Sequence, residues 1–280
     1  MLRKPKPLGR AIEIGQQQYH YWRRMNLPEY EYKGLIAQAW DVLRGDTSHW
    51  PDRFFYLEII GKYGQPVLDV GCGTGRLLLD YLQQGIDIDG VDNSPDMLAL
   101  CRQKAANAGW QVNLYEQYME VLELPRKYQT ILVPSSSLQL VVEPEMVDQA
   151  LKRLHNHLLP GGVVSASFMK LRKAGDPLEF EWEQSAVRER DGVKFRRIIK
   201  SRYDPHSQYE HTEDLYQMIV EEQVMAEERF RRSPATVSYD QTQLKDLFER
   251  AGFADIQLYS QFTFEPAKEE DNVFTVLAQK

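Results

Sequence analysis

The feature that most constrains the fold is a run of ten residues, VLDVGCGTGR, at positions 67–76. Four mostly apolar residues come first, and three glycines at every second position, Gly71, Gly73 and Gly75, follow them. Glycine lets the chain turn sharply and brings bare backbone close to a ligand, and the N–H groups that open a following helix face the same crevice. The run therefore predicts a buried strand, then a ligand-binding loop, then a helix.

The spacing of these glycines argues against a dinucleotide ligand. A dinucleotide-binding loop has its third glycine three positions after the second, and this chain has Arg76 there. Asp69, two positions before the first glycine, would repel a pyrophosphate but attract a cationic ligand. S-adenosylmethionine is such a ligand, because it carries an ammonium and a sulfonium group. A nicotinamide-dependent oxidoreductase is accordingly disfavoured.

The same run resembles motif I of the class I S-adenosylmethionine-dependent methyltransferases, which reads hydrophobic-hydrophobic-Asp/Glu-hydrophobic-Gly-x-Gly-x-Gly. The resemblance covers roughly residues 60–170 and 236–280. It implies an α/β fold, with a Rossmann-like doubly wound sheet that ends in an antiparallel pair of strands. It also implies S-adenosylmethionine as the cofactor. The predicted contacts in the loop are Asp69, Gly71, Cys72, Gly73 and Gly75.

Composition disfavours several other classes of protein. The 280 residues have a formal net charge of −7, which argues against nonspecific binding to nucleic acid or to an anionic membrane. The sequence shows neither a bilayer-spanning apolar run nor the apolar segment of a signal peptide. Its two cysteines, Cys72 and Cys101, favour neither a disulfide framework nor a metal site. We expect a cytoplasmic protein with a small-molecule substrate and no metal, and its oligomeric state stays open.

Strand and helix patterns alternate along most of the chain, which predicts a parallel sheet. Strands are expected at 66–70, 86–91, 111–115, 130–133, 162–168, 256–264 and 273–278, and helices within 11–63, at 77–84, 95–108, 144–159 and 241–251. We divide the chain into an N-terminal helical segment (1–63), a cofactor-binding core (64–170 and 236–280) and an inserted region (171–235).

The inserted region does not continue the alternation. Strand-like patterns at 180–183, 195–203 and 215–220, with a hairpin turn at Asp191-Gly192, predict an antiparallel sheet. The insertion follows the fifth strand, so it should emerge at the edge where open α/β sheets bind ligands and should cover the substrate as a lid. Its basic residues between 188 and 202 alternate with other types, as on a solvated sheet face.

A second motif predicts the nucleoside end of the cofactor site. Asp92 closes the second strand 21 positions after Gly71, a separation at which an acid reaches ribose hydroxyls. The stretch 90–98 resembles the second motif of the same family, which implies that Asp92 and Asn93 bind ribose and that Met97 lies near the adenine. Helix capping is the alternative role for Asp92, and core packing is the alternative for Met97.

The third stretch departs from the family. Where the family has an Asp near the adenine amino group, residues 116–120 offer Tyr118. A tyrosine can stack on a purine, and the backbone N–H of Met119 can bond a ring nitrogen. Tyr118 and Met119 are therefore predicted cofactor contacts.

The loop after the fourth strand, PSSSLQL at 134–140, should lie beside the transferred methyl group and carries no carboxylate. Ser135 is a predicted cofactor contact and Gln139 a catalytic candidate, and loop-capping hydrogen bonds are the alternative role of the serines. Methyl transfer needs alignment in a dry pocket, and needs a base only when the acceptor must lose a proton. His211 is the best-placed histidine for that role, and Tyr32 is the third catalytic candidate.

These observations favour an S-adenosylmethionine-dependent methyltransferase that N- or O-methylates a small molecule. Tyr118 and the serine loop without a carboxylate leave a second function open. That alternative is a catalytically silent protein that binds the cofactor and serves as an interaction or sensing module.

Overall fold

A computed structural model describes residues 32–173 and 175–280. The N-terminal helical prediction lies outside the described residues as far as position 31, and of residues 182–186 only the backbone is described. Two helices open the described part, α1 (Leu35–Arg44) and α2 (Pro51–Tyr63). Pro51 occupies the first position of α2, where a proline loses no helical hydrogen bond.

Strands and helices then alternate as the sequence predicts. The elements of this core are β1 (Val67–Val70), α3 (Arg76–Gln83), β2 (Ile88–Asp92), α4 (Pro95–Asn107), β3 (Leu114–Glu116), β4 (Tyr128–Val133), α5 (Pro144–His157) and β5 (Leu158–Met169). Short 3-10 helices at Met119–Val121 and Ser137–Leu140 follow β3 and β4. The inserted strands are β6 (Glu179–Arg190), β7 (Val193–Asp204), β8 (Tyr209–Val220) and β9 (Gln223–Val237), and α6 (Gln241–Arg250), β10 (Ala254–Ser260) and β11 (Val273–Gln279) complete the core.

Seven strands form one sheet in the order β10-β11-β5-β4-β1-β2-β3. Strands β1 to β5 are parallel, and β11 is antiparallel to both β5 and β10. The predicted α/β fold with its antiparallel C-terminal pair is confirmed. Because β1 and β2 pair in register from Val67 with Ile88 to Val70 with Val91, their carboxyl ends lie side by side.

Side chains along β1 alternate between the two faces of the sheet. Leu68 and Val70 pack in a cluster with α5 and α6, whereas Val67 packs in a second cluster with α2, α3 and α4. All of these side chains are buried, so strands of this kind read as continuous apolar runs. Helices therefore cover both faces, which is the doubly wound arrangement.

The inserted region forms a separate antiparallel sheet in the order β6-β7-β8-β9. Asp191 and Gly192 both have positive φ, 54° and 76°, and make the predicted hairpin turn. The strands are longer than predicted, and β9, rich in charged residues, was missed. Its charges alternate with less exposed residues, since every second position faces solvent.

One face of the inserted sheet packs on α1. Leu35, Ile36 and Ala39 of the helix meet Phe195 and Tyr216 of the sheet in a buried cluster. The basic residues that we expected on a solvated face divide between the two sides. Lys194 and Lys200 make exposed ion pairs with acids of the same sheet, whereas Arg197, on the α1 side, pairs with the buried Asp214. None of the described helices is both long and apolar enough to cross a membrane.

Alanine substitution of Gly75, with Gly85 as the control, tests how tightly the glycine loop is packed. Gly75 and Gly85 both have left-handed φ, +88° and +80°. A Cβ on Gly75 would lie 2.6 Å from Cys101 Sγ and 2.8 Å from Leu79 Cγ, whereas nothing lies within 4 Å of one on Gly85. Both alanine variants should lose about 1–2 kcal/mol to backbone strain. Gly75→Ala should lose roughly 1–3 kcal/mol more to overpacking.

Urea unfolding of the wild type and of both variants measures this difference. Equal free energies of unfolding for Gly75→Ala and Gly85→Ala would contradict the close packing of the loop against α4.

Candidate active site

A cavity of about 960 Å³ opens where the parallel strands end. Its walls come from the loops after β1, β2, β3 and β4 and from the α1 region. Loops that follow parallel neighbouring strands emerge at one edge of the sheet, so residues far apart in sequence meet there.

The structure brings nearly all predicted cofactor contacts together. Those that line the cavity are Asp69, Gly71, Cys72, Gly73, Asp92, Asn93, Met97, Tyr118, Met119 and Ser135. Gly75 does not line it. This glycine is the N-cap of α3, and its N–H donates to the carbonyl of Cys72 at 2.9 Å, so it turns the chain into the helix.

Asp69, the residue before the last of β1, carries a buried carboxyl. Among the described residues no donor reaches its Oδ1, which is closed off from solvent. Burial raises the pKa of Asp69 to about 7, although the nearby Arg76 opposes the shift. A buried acceptor without a donor is rare in a folded protein, and Asp69 is also one of the residues that line the cavity.

Asp92 ties the loops after β1 and β2 together. Its Oδ2 accepts the N–H of Gly73 at 2.8 Å, and its Oδ1 accepts the N–H of Ser94 at 2.9 Å. Burial raises the pKa of Asp92, and these two bonds oppose the shift. The N-cap of α4 is Ser94, whose Oγ accepts the N–H of Met97 at 3.1 Å. Each Asp92 oxygen keeps a second lone pair for a ligand hydroxyl.

Comparison with known proteins agrees with this architecture. Residues 67–162 match the family model described as "Methyltransferase domain". A solved structure, an S-adenosylmethionine-dependent methyltransferase from Clostridium acetobutylicum, is similar in fold, with a TM-score of 0.65 and 17% identity over 96% of this chain and 98% of that one. Residues 67–162 therefore match a methyltransferase domain, and they lie within a fold that S-adenosylmethionine-dependent methyltransferases share.

Curated relatives match about half of this chain. The dTDP-3-amino-3,6-dideoxy-alpha-D-glucopyranose N,N-dimethyltransferase of Streptomyces fradiae is 29% identical over 142 residues, 49% of this chain and 54% of that protein. The ubiquinone biosynthesis O-methyltransferase of Pectobacterium carotovorum is 33% identical over 137 residues, 46% of this chain and 56% of that protein. The chain spans about half the length of the curated relatives it matches.

Arg44 is a cavity residue that the sequence reasoning missed. It lies in the last turn of α1, with its guanidinium carbon 4.1 Å from the ring centre of Trp40. Within the described residues it has no ion pair, whereas Arg76 pairs with Asp52. Burial and the charge of Arg76 lower the pKa of Arg44 to about 10. The signal in the sequence was its i+4 spacing from Trp40 on the same helix.

Glu120 is the second missed residue. It lines the cavity two positions after Tyr118, and its side chain is 5% exposed. Burial raises its pKa to about 7, and the nearby Glu143 contributes to the shift. Glu120 was not predicted as a site residue because it lies two positions after Tyr118, where the family has its Asp near the adenine amino group.

Gln139 does not line the cavity. Its buried amide donates to the carbonyls of Met169 at 3.0 Å and Val237 at 2.8 Å, and its Oε1 accepts the N–H of Met169 at 2.7 Å. All of these partners are backbone groups at the ends of β5 and β9. These contacts give Gln139 a structural role, because they connect the core to the inserted sheet. Its amide group already makes three hydrogen bonds to the backbone.

His211 also lies outside the cavity lining. It alternates along β8 with Asp214 and Tyr216, which face α1, so its side chain points to the other side of the sheet. There its Nδ1 is hydrogen-bonded to Ser233 Oγ at 2.7 Å. The sequence alone could not show which face of β8 His211 occupies, because only the register decides the face of a strand residue.

Tyr32 is the catalytic candidate that does line the cavity. Its ring centre lies 5.0 Å from that of Trp40, and the guanidinium of Arg232 stacks over it at 4.6 Å. In the neighbouring serine loop, Ser137 Oγ donates to the carbonyl of Pro134 at 2.7 Å, the predicted alternative of loop capping. Within the described residues, no group of three or more His, Cys, Asp or Glu side chains is arranged to hold a metal ion.

The buried carboxyl of Asp69 should make stability depend on pH. Its folded-state pKa of about 7 lies above the usual 3.8, so the folded chain binds a proton more tightly than the unfolded chain. Its contribution to stability is therefore greatest at low pH and is lost as pH rises from about 4 to about 7. Asp69→Asn removes this pH-dependent loss of stability, because an asparagine side chain does not ionise.

Urea unfolding at a series of pH values checks the sign. The free energy of unfolding of Asp69→Asn, relative to wild type, should rise between pH 5 and pH 8. A difference that stays constant with pH would show that the Asp69 carboxyl is not perturbed.

Proposed function

We propose that this chain binds S-adenosylmethionine and transfers its methyl group to a nitrogen or oxygen atom of a small molecule. The observation that carries the proposal is the unpartnered, buried Oδ1 of Asp69, which shares a cavity with the Asp92 carboxylate. The first is an acceptor suited to an ammonium group, and the second is an acceptor suited to ribose hydroxyls. When bound, S-adenosylmethionine would supply an electrophilic methyl group on a sulfonium.

The amino-acid end of the cofactor fits the part of the cavity between β1 and α1. Asp69 would accept from the ammonium, and Arg44, a cation without a carboxylate partner there, would bind the carboxylate. Gly71 lets the loop after β1 approach the loop after β4, since a Cβ on it would lie 2.7 Å from Ser137 Oγ. The opposite charges of Asp69 and Arg44 match the zwitterionic end of this cofactor.

The acceptor would lie under the inserted sheet. Tyr32 lines the cavity, and Arg232 of that sheet stacks on it, so the α1-facing side of the sheet reaches the mouth of the site. A cover of this kind excludes water and holds the acceptor in line with the sulfonium, which supplies most of what methyl transfer requires. The similarity to an amino-sugar N,N-dimethyltransferase and to an O-methyltransferase supports a nitrogen or oxygen acceptor.

Binding of S-adenosylhomocysteine to Asp92→Ala tests the assignment of the ribose. We expect a loss of about 10–100-fold in affinity by isothermal titration calorimetry, because two charge-assisted hydrogen bonds disappear. Asp148→Ala is the control, since that carboxylate pairs with Arg250 instead of lining the cavity. Unchanged affinity in Asp92→Ala would remove Asp92 from the site.

Activity separates an enzyme from a silent binding module. Wild-type protein with methyl-labelled S-adenosylmethionine should methylate a member of a panel of amino sugars, phenols and metabolite extracts, and Asp92→Ala should not at the same cofactor concentration. A protein that binds the cofactor tightly and labels nothing in such pools would favour the sensing or interaction module.

The role of Arg44 is tested with two ligands. Arg44→Gln should weaken S-adenosylhomocysteine binding about 10-fold, because a charged hydrogen bond to the carboxylate is lost. It should leave 5′-methylthioadenosine, which lacks the amino-acid group, within about 2-fold of wild type. Arg102→Gln, on the exposed side of α4, controls for net charge. Equal losses for both ligands would show that Arg44 acts only through packing.

A further inference from the structure

Arg232 is a cation at the mouth of the cavity for which the proposed function names no ligand group. It follows Phe230 by two positions on β9, and Phe230 packs against α1, so both side chains lie on the side of the inserted sheet that faces α1. The guanidinium carbon of the half-buried Arg232 lies 4.6 Å from the ring centre of Tyr32, which lines the cavity. A positive charge therefore stands beside the space proposed for the acceptor.

The stacking on Tyr32 uses only the flat face of the guanidinium. The five N–H donors of an arginine lie around the edge of that plane. Within the described residues, those of Arg232 have neither a hydrogen-bond acceptor nor an acidic partner. A planar guanidinium with a free edge binds a carboxylate or a phosphate through two parallel hydrogen bonds. Arg232 therefore offers the donor geometry of an anion site.

Two other arginines that reach this side of the sheet differ from Arg232 in their partners. Arg197 pairs with Asp214 at 2.7 Å, and Arg172 pairs with Glu210 at 3.0 Å. Both also stack on aromatic rings, so stacking is not what distinguishes Arg232. What distinguishes it is that the described part of the chain supplies it with no carboxylate. A ligand can supply that missing anion.

The charges around the cavity make an unpaired cation informative. Carboxyl groups of Asp69, Asp92 and Glu120 line the cavity, and the chain has a formal net charge of −7. Such a site repels anions at long range, and it could hold a neutral or cationic acceptor without a further arginine. Arg44 would be engaged by the carboxylate of the cofactor, which leaves Arg232 to offset this repulsion for an anionic acceptor.

We infer that Arg232 binds an anionic group of the acceptor, a carboxylate or a phosphate, through the edge of its guanidinium. The inference rests on the proposed function, because it takes the space under the inserted sheet as the acceptor site. It narrows the substrate class to small molecules that carry an anionic group in addition to the nitrogen or oxygen that is methylated. Arg232 thereby determines acceptor specificity, and methyl transfer itself does not pass through it.

Binding of small anions to protein saturated with S-adenosylhomocysteine tests the inference without a known acceptor. The probes are inorganic pyrophosphate for phosphates and malonate for carboxylates, and the tighter probe indicates which group the acceptor carries. By isothermal titration calorimetry, wild type should bind at least one probe, and Arg232→Gln should bind it about 10-fold or more weakly, because a charge-assisted bidentate contact is lost. Arg232→Lys keeps the charge and should recover part of the affinity.

Arg231→Gln is the matched control, since this exposed arginine is the next residue along β9 and faces the other side of the sheet, opposite Glu213. It should bind the probes as wild type does. All variants should bind S-adenosylhomocysteine within about 2-fold of wild type. If wild type binds neither probe, or Arg232→Gln binds them equally well, the inference is overturned while the proposed function stands. If wild type does not bind S-adenosylhomocysteine, the proposed function fails and the inference fails with it.

An acceptor detected with methyl-labelled S-adenosylmethionine gives a second readout. For that acceptor, Arg232→Gln should raise KM about 10-fold and leave kcat and the KM for S-adenosylmethionine within about 2-fold of wild type, because the lost contact is to the acceptor alone. A fall in kcat at unchanged KM would show that Arg232 acts only through packing and would overturn the inference. An acceptor without an anionic group would overturn it as well.

Discussion

The site depends on the bond from the Gly73 N–H to the Asp92 carboxylate. It joins the loops after β1 and β2, two strands whose carboxyl ends the parallel register already places side by side. Because Asp92 also accepts from Ser94, one side chain fixes the glycine loop relative to the start of α4. The backbone that lines the cavity is thereby held before a ligand arrives, so less ordering entropy opposes binding.

Charge is distributed unevenly around the cavity. Asp69, Asp92 and Glu120 are acids with raised pKa values, and burial is the main cause for each. Of the two cavity arginines, Arg76 is paired with Asp52, so Arg44 alone lacks a carboxylate partner among the described residues. A ligand with several hydrogen-bond donors and a single carboxylate would give partners to the three acids and to Arg44 together. That pattern discriminates against a pyrophosphate more strongly than the glycine spacing does.

The sequence predicted the features that local chemistry determines. The glycine turn, the hairpin turn at Asp191-Gly192 and the acid at the end of β2 depend on neighbours in the chain, and each lies where its pattern indicated. Arg44 and Glu120 were missed because a charge becomes informative only when burial removes its partners, and burial is a tertiary property. His211 was misplaced because strand register, which the sequence of a charged lid sheet specifies weakly, decides which face a residue occupies.

Gln139 and α1 both connect the inserted sheet to the core. Gln139 holds the backbone at the ends of β5 and β9 together, while α1 lies between the sheet and the glycine loop. Asp41 of α1 accepts a hydrogen bond from Thr74 Oγ1 at 2.6 Å and forms an ion pair with Lys104 of α4. Both attachments end on elements that line or support the cofactor cavity. A movement of the sheet would therefore be transmitted through α1 to Arg44 and Tyr32, which both line the cavity.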